Sequence, residues 1–181
     1  MLTGPPLCDF GWAAPVFELP DASGTVHRFD QQLGPNGLLI AFICNHCPYV
    51  IAIADRLAQD ARALMDDGIG VLAIMSNDYQ GYPADAPERM IEFANKYSFP
   101  FPYLVDTDQV VARAYDAKCT PDFFGLNADG LLQYRGRLDD ARMGDAAGRT
   151  PELVNAMRMI AQTGAGPQDQ TASMGCSIKW R

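Results

Sequence analysis

An uninterrupted apolar segment followed at once by two closely spaced cysteines constrains the fold of this chain more than any other feature. Residues 38–43, Leu-Leu-Ile-Ala-Phe-Ile, are all apolar and do not alternate with polar residues. This pattern is typical of a strand that is buried on both faces. Cys44-Asn-His-Cys47-Pro48 follows directly, and apolar residues spaced by three and four then predict a helix to about Met65. The segment therefore predicts a strand, a cysteine pair and a helix, in that order.

Similar patterns along the rest of the chain predict an α/β fold. Further strands are expected at 16–19, 25–29, 69–75, 101–105, 122–126 and 131–135. Further helices are expected at 87–97 and 108–115, and a last helix starts with Thr150 as N-cap and Pro151 at its first position. Strands joined by helices must be parallel, whereas hairpins add antiparallel strands. We therefore expect a mixed central β-sheet with helices on both faces and an N-terminal β-hairpin.

The length and composition fit one folded domain. The chain has 181 residues, 48% of them hydrophobic and 20% charged, which is ordinary for a globular protein. We expect residues 1–181 to form a single domain, with an irregular lead-in at 1–13 and an irregular tail at 168–181.

The charge and hydropathy pattern excludes two classes of partner. The net charge is −8 and no cluster of Lys and Arg stands out, which argues against a nucleic-acid partner. No apolar run is long enough for a transmembrane helix, and the N-terminus lacks the basic and apolar regions of a secretory signal. We expect no membrane partner and a cytoplasmic location.

The placement of two cysteines, rather than their number, indicates their chemistry. An odd and sparse set of cysteines is not a disulfide framework. Cys44 is expected at the start of a helix, where backbone N–H groups favour a thiolate, the form that attacks disulfides. Cys47, three residues later, is close enough to resolve a mixed disulfide formed at Cys44. A protonated His46 between them would favour the thiolate further, although a solvated side chain is the alternative for His46.

A zinc site is the main alternative for these cysteines. A Cys-x-x-Cys pair can be half of a zinc site, but a second such pair is absent from the sequence. Zinc would need Cys119, Cys176 or His27 to converge on the first pair. We favour redox chemistry, because the pair follows a strand in an α/β pattern.

The order of the motifs resembles the thioredoxin fold. A strand, the Cys-x-x-Cys pair and a helix are followed much later by Thr120-Pro121, a β-hairpin and a closing helix. The N-terminal hairpin and a strand–helix insertion at 101–115 resemble the redoxin branch of this superfamily, the alkyl hydroperoxide reductase/thiol-specific antioxidant (AhpC/TSA) type. The resemblance covers about residues 14–181. It implies that Pro121 is a cis-proline beside the cysteines and that Thr120 presents its backbone to an extended substrate. An ordinary trans-proline at a strand start is the alternative.

The chain departs from thioredoxins at two positions near the cysteines. Ile43 stands where thioredoxins have Trp before the first cysteine, and Leu38 stands where they bury a carboxylate that accepts a proton from the second cysteine. Proton transfer from Cys47 must therefore use another group, such as His46 or water.

The sequence also lacks the peroxide-binding motif of peroxiredoxins. That motif, Pro-x-x-x-Thr-x-x-Cys, would need Pro and Thr seven and three residues before the reactive cysteine. These positions are Gly37 and Ala41 before Cys44, and Ile40 and Cys44 before Cys47. Efficient peroxidase activity is therefore not expected.

The leading hypothesis is a thioredoxin-like thiol–disulfide oxidoreductase. Cys44 and Cys47 form its redox pair, with His46, Thr120 and Pro121 in supporting roles. It needs neither an organic cofactor nor a metal, because the dithiol carries the two electrons, and its partner is a protein or small-molecule thiol or disulfide. A weak thiol-dependent peroxidase, with an antioxidant role, and a non-catalytic zinc-binding or structural module are the alternatives.

Two further cysteines are candidates for an auxiliary redox role. Cys119 lies two residues before Pro121, so this fold places it near the pair, although a small buried side chain is the favoured interpretation. Cys176 lies in the tail, where it either folds over the site as a third exchange cysteine or packs as an inert thiol.

Overall fold

Strands and helices alternate through most of the computed structural model, which describes residues 2–181. The strands are β1 (Leu2–Thr3), β2 (Glu18–Pro20), β3 (Val26–Arg28), β4 (Leu38–Phe42), β5 (Gly70–Met75), β6 (Tyr103–Val105), β7 (Cys119–Thr120), β8 (Asp122–Leu126), β9 (Leu132–Tyr134) and β10 (Gly175–Ser177). The helices are α1 (Phe29–Gln32), α2 (Pro48–Ile51), α3 (Ala54–Asp66), α4 (Pro87–Lys96), α5 (Val110–Ala114) and α6 (Glu152–Thr163), with a 3-10 turn at Pro83–Asp85.

The central sheet is mixed, as the sequence predicts. Its strand order is β6-β5-β4-β8-β9; β4, β5 and β6 are parallel, and β8 and β9 are antiparallel to their neighbours. Every residue of β4 is buried, because the sheet is covered on both sides. Leu39 and Ala41 belong to one hydrophobic cluster, and Leu38 and Ile40 belong to the other. Successive side chains of a strand point to opposite faces, which explains the apolar run without alternation.

Helices cover both faces. Helices α3, α4 and α6 bury their apolar stripes in the first cluster, through residues such as Leu57, Met90 and Met157. Helices α1 and α5 contribute to the second cluster, through Phe29 and Val111. The predicted hairpin is present as β2 and β3, and the predicted strand–helix insertion as β6 and α5. Among residues 2–181, no helix is long and apolar enough to cross a membrane.

Two helices differ from the prediction. The helix predicted after the cysteines is broken at Ala52 and Ile53, so that α2 has only 4 residues. The β-branched residues around the break lose rotamer freedom in a helix, which weakens it locally. The last helix begins at Glu152, and its N-cap residue is Pro151 rather than Thr150. The N–H of Thr150 is instead held by Asp140 Oδ1 at 2.7 Å.

The ends of the chain are not wholly irregular, which corrects the prediction for 1–13 and 168–181. Strand β10 lies between β1 and β7 and is antiparallel to both. Cys176 pairs with Leu2 on one side and with Thr120 on the other. These strands have only two or three residues and pair with distant parts of the chain, so local periodicity does not predict them.

Candidate active site

The end of β4 and the start of α2 bring the two cysteines of the Cys-x-x-Cys motif together. Cys44 and Cys47 are 1% and 0% exposed, and both are free thiols. Thr120 lies beside both of them. Its Oγ1 is 3.4 Å from Cys44 Sγ, and its carbonyl oxygen accepts a hydrogen bond from the Cys47 thiol at 3.2 Å. The site thus joins residues that are more than 70 positions apart in the sequence.

Thr120 and Pro121 connect β7 to β8. The peptide bond between them is cis, and Thr120 is 3% exposed. The backbone of Thr120 faces Cys47 through its carbonyl and pairs with Cys176 of β10. Both residues are therefore part of the wall around the cysteine pair.

The two thiols of the pair differ in the direction of their pKa shifts, with that of Cys47 lowered and that of Cys44 raised. The pKa of Cys47 is lowered by the hydrogen bond from the Cys44 thiol and, more weakly, by the backbone N–H groups of Cys176 and Val50. The pKa of Cys44 is raised by the same shared hydrogen bond, by burial and by the carboxylate of Asp85. This balance favours a thiolate at Cys47, whereas the sequence predicts one at Cys44. Helix α2 begins after Cys47, its N-cap residue, rather than after Cys44.

A fully buried carboxylate organises the loop between the cysteines. Asp85 is 0% exposed and accepts hydrogen bonds from Asn45 N–H at 2.8 Å and from Asn77 Nδ2 at 2.9 Å. His46 Nδ1 lies 2.7 Å from Asp85 Oδ2, although the alignment is too poor for a hydrogen bond. The ring of Tyr82 stacks parallel to that of His46 at 5.9 Å. This arrangement holds His46 between a negative charge and an aromatic face.

Sequence reasoning did not find this polar network. Tyr103 donates a hydrogen bond to Asn45 Oδ1 at 2.9 Å, and burial raises the pKa of its hydroxyl. Asp85 lies 40 positions from Asn45, on a turn between two prolines, so no spacing in the sequence connects them. The only sequence signal is an acidic residue in a short segment between strand and helix.

One group of side chains has the donor types of a metal site. Ligand atoms of Cys44, His46 and Asp85 lie within 4.8 Å of one another. Sulfur, nitrogen and oxygen are ligands that zinc accepts. Both oxygens of Asp85 are already engaged by Asn45 and Asn77, however. His27 does not converge on the cysteines as the zinc alternative requires, because it pairs with Asp21 in the β2–β3 hairpin at 2.9 Å.

The two auxiliary candidates differ in their surroundings. Cys119 is 0% exposed, its Sγ lies 3.5 Å from the carbonyl oxygen of Pro121, and burial raises its pKa to about 12. Cys176 is partly exposed and packs against the cluster that contains Cys44 and Cys47, and its pKa is raised by burial and by the neighbouring Cys47. The structure therefore brings Cys176 to the pair, whereas Cys119 is a fully buried thiol whose raised pKa disfavours the thiolate.

An apolar cleft adjoins the site on the side of α2. Its lining includes Tyr49, Ile53, Pro121, Phe123, Leu138 and Met143. Pro121 thus separates the cysteine pair from a surface suited to apolar groups.

Comparison with known proteins finds one family that matches most of the chain. The AhpC/TSA family matches residues 10–135. A search of curated protein sequences finds no match.

Solved structures share the fold over most of the chain. An uncharacterized conserved protein from Geobacillus kaustophilus has 39% identity and a TM-score of 0.93, covering 100% of this chain and 97% of that one. A hypothetical protein from Sinorhizobium meliloti has 38% identity and a TM-score of 0.92, with coverages of 99% and 98%. The thioredoxin domain of a thiol-disulfide oxidoreductase from Bacteroides vulgatus has 14% identity and a TM-score of 0.67, with coverages of 86% and 99%. These similarities confirm the thioredoxin-like fold.

Proposed function

The chain belongs to the AhpC/TSA family, and on that basis we propose that it is a thiol–disulfide oxidoreductase in which Cys44 and Cys47 alternate between dithiol and disulfide. One observation carries this proposal. Both thiols lie against Thr120, Cys44 at its hydroxyl and Cys47 at its carbonyl oxygen, and their pKa values are shifted in opposite directions, that of Cys47 down and that of Cys44 up. Two thiols that ionise at different pH are suited to the two successive steps of disulfide exchange.

In the proposed reaction, Cys47 acts first and Cys44 resolves. The Cys47 thiolate attacks a disulfide sulfur presented to it, forms a mixed disulfide and releases one thiolate. Cys44 then loses its proton and attacks Cys47 Sγ, which releases the second thiolate and leaves the Cys44–Cys47 disulfide. This order is the reverse of the one predicted from the sequence, because the hydrogen bond shared with Cys44 lowers the pKa of Cys47.

His46 and Asp85 are the proposed positioning groups for the proton of Cys44. Both lie within 4.8 Å of the Cys44 thiol. An imidazole beside a buried carboxylate can take up that proton as Cys44 attacks, because the resulting imidazolium pairs with the carboxylate. His46 and Asp85 together thus supply the proton acceptor that Leu38 cannot provide. Thr120 and Pro121 complete the wall of the site.

A redox titration tests the proposal. The protein is equilibrated across a glutathione redox series, its thiols are alkylated, and each cysteine is quantified by peptide mass spectrometry. We expect Cys44 and Cys47 to titrate together as one two-electron couple. A midpoint potential of about −270 mV would mean that the protein acts as a reductant, and one of about −120 mV that it acts as an oxidant. Cys8→Ser should leave the couple unchanged, whereas Cys44→Ser should abolish it.

Cysteines that stay reduced across the whole series would refute the proposal. Zinc is then the competing assignment, because Cys44, His46 and Asp85 cluster closely. Metal analysis of protein purified without chelator separates the two: redox function predicts much less than one metal per chain. One zinc per chain that is lost in Cys44→Ser would favour the structural module.

Weak thiol-dependent peroxidase activity stays an alternative to this proposal. It would appear as hydroperoxide consumption that requires both a thiol reductant and Cys47. Protein or small-molecule disulfides as substrates and a cytoplasmic location stay predictions from the sequence.

A further inference from the structure

The C-terminal segment covers the cysteine pair. We call residues 173–178, which contain β10, the strap. Cys176 pairs with Thr120 and Ser177 with Cys119, so the strap occupies the free edge of β7 beside the site. Gly175 lies so close to this edge that a Cβ would be 2.0 Å from the carbonyl oxygen of Thr120. Cys44 and Cys47 are 1% and 0% exposed, so a bulky disulfide in solvent does not reach either sulfur in this structure.

Both ends of the strap are fixed to the rest of the fold. At its start, Ser173 Oγ donates a hydrogen bond to the carbonyl oxygen of Pro121 at 2.9 Å. Just beyond its end, the N–H of Lys179 donates to Asn77 Oδ1 at 2.8 Å. The carbonyl oxygen of Lys179 accepts hydrogen bonds from Gln109 Nε2 and from the N–H of Asp78, each at 2.8 Å. These contacts hold the strap in place at both ends.

The cysteine of the strap lies between solvent and the buried cysteine pair. Cys176 is partly exposed, unlike Cys44 and Cys47. Cys176 packs against the cluster that contains Cys44 and Cys47, and its strand partner Thr120 accepts the hydrogen bond of the Cys47 thiol at 3.2 Å. We propose that Cys176 is a shuttle cysteine, which exchanges with external disulfides and passes them to Cys47 without opening of the strap. This inference rests on the proposed redox function of Cys44 and Cys47.

The shuttle balances as three successive exchanges. The Cys176 thiolate attacks an external disulfide, forms a mixed disulfide and releases one thiolate. The Cys47 thiolate then attacks Cys176 Sγ, which forms a Cys47–Cys176 disulfide and releases the second external thiolate. Finally the Cys44 thiolate attacks Cys47 Sγ, so that the Cys44–Cys47 disulfide forms and Cys176 leaves as a thiolate. The external disulfide gains two electrons, the pair loses two, and Cys176 is unchanged. The same steps in reverse oxidise an external dithiol.

A trapping experiment tests the middle step. Cys44→Ser removes the resolving thiol, so the shuttle predicts that treatment with glutathione disulfide stops at a Cys47–Cys176 disulfide. Non-reducing tryptic digestion should then link peptide 29–56, whose remaining cysteine is Cys47, to peptide 159–179, which carries Cys176. The double variant Cys44→Ser/Cys176→Ser is the matched control and should lack this product. A Cys44→Ser protein in which Cys47 carries glutathione and no linked peptide forms would overturn the shuttle.

A rate measurement separates the shuttle from the proposed function. In Cys176→Ser, oxidation of the pair by glutathione disulfide should slow by more than about tenfold, because it then requires local opening of the strap. The redox midpoint of the pair should not change, and Cys8→Ser should react at the rate of the native protein. An undiminished rate in Cys176→Ser overturns the shuttle alone. Failure of the native protein to form a Cys44–Cys47 disulfide overturns the proposed function and the shuttle together.

Discussion

Replacing Gly175 with alanine should lift the strap from the cysteine pair. The added Cβ would lie 2.0 Å from the carbonyl oxygen of Thr120, 2.6 Å from its carbonyl carbon and 3.1 Å from the nitrogen of Pro121. All three are backbone atoms at the junction of β7 and β8, so they cannot turn aside as a flexible side chain would. The strap itself must therefore move.

The size of the effect follows from that distance. Ordinary contact begins near 3.4 Å, so the strap must retreat by about 1.4 Å, the difference between 3.4 and 2.0 Å. Such a retreat stretches the hydrogen bonds between β10 and β7 beyond bonding distance. Loss of two such bonds, at about 1 kcal/mol each, destabilises the closed strap by about 2 kcal/mol. The open population, and with it the accessibility of Cys47, should then rise roughly 30-fold.

Alkylation of the reduced, native protein measures this accessibility. Iodoacetamide is added for increasing times, and the labelled fraction of Cys47 is read from peptide 29–56. Gly144→Ala is the matched control, because its Cβ would meet only the carbonyl oxygen of Ala141, at 3.2 Å. We expect the control to react like the native protein and Gly175→Ala to react much faster.

Equal alkylation rates in Gly175→Ala and the native protein, at unchanged global stability, would refute this reasoning. They would mean that the strap does not limit access to Cys47. Urea unfolding of both variants is therefore measured in parallel, so that a general loss of stability is not mistaken for opening of the strap.

Three further predictions concern charge. The lowered pKa of Cys47 means that its thiolate is present at neutral pH and disappears as pH falls through that pKa; absorbance at 240 nm should show a thiolate step below about pH 8.5 that Cys47→Ser removes. The carboxylate of Asp85 raises the pKa of Cys44, so Asp85→Asn should stabilise the reduced form of the pair. The redox midpoint should then become less negative, by about 30 mV for each tenfold change in the equilibrium constant between dithiol and disulfide. A more negative midpoint would contradict this reasoning. Asp139 is fully buried between two arginines, so Asp139→Ala should lower the free energy of unfolding in urea by about 3 kcal/mol, and a loss below about 1 kcal/mol would contradict this.

The parts of the fold that follow from local pattern were predictable from the sequence. The unbroken apolar run of β4 reflects burial on both faces, and the stripes of α4 and α6 reflect burial on one. No local pattern predicts that Thr120 lies close to Cys44. That prediction came from the resemblance to the thioredoxin fold. The exact starts of helices were less predictable, since a distant carboxylate, Asp140, competes for the N–H of Thr150.

The parts of the site that depend on long-range contacts were not predictable. Asp85 reaches the cysteine loop from a turn 40 positions away from Asn45. Strand β10 has three residues, and its pairing with Thr120 depends on Gly175, whose missing side chain lets two backbones approach closely. A glycine before a cysteine in a tail does not by itself indicate such an approach.

The leucine at position 38 and the cysteine at position 176 both bear on which sulfur of the pair reacts. Leu38 packs in the hydrophobic cluster opposite to the one that contains Cys44 and Cys47, so a carboxylate there would not face the pair in this chain. The buried carboxylate comes instead from Asp85, and it acts on Cys44, whose pKa it raises. The lowered pKa thereby belongs to Cys47, whose thiol contacts Thr120, the strand partner of Cys176. Electrostatics from one side and the strap from the other thus place the proposed exchange at the same sulfur atom.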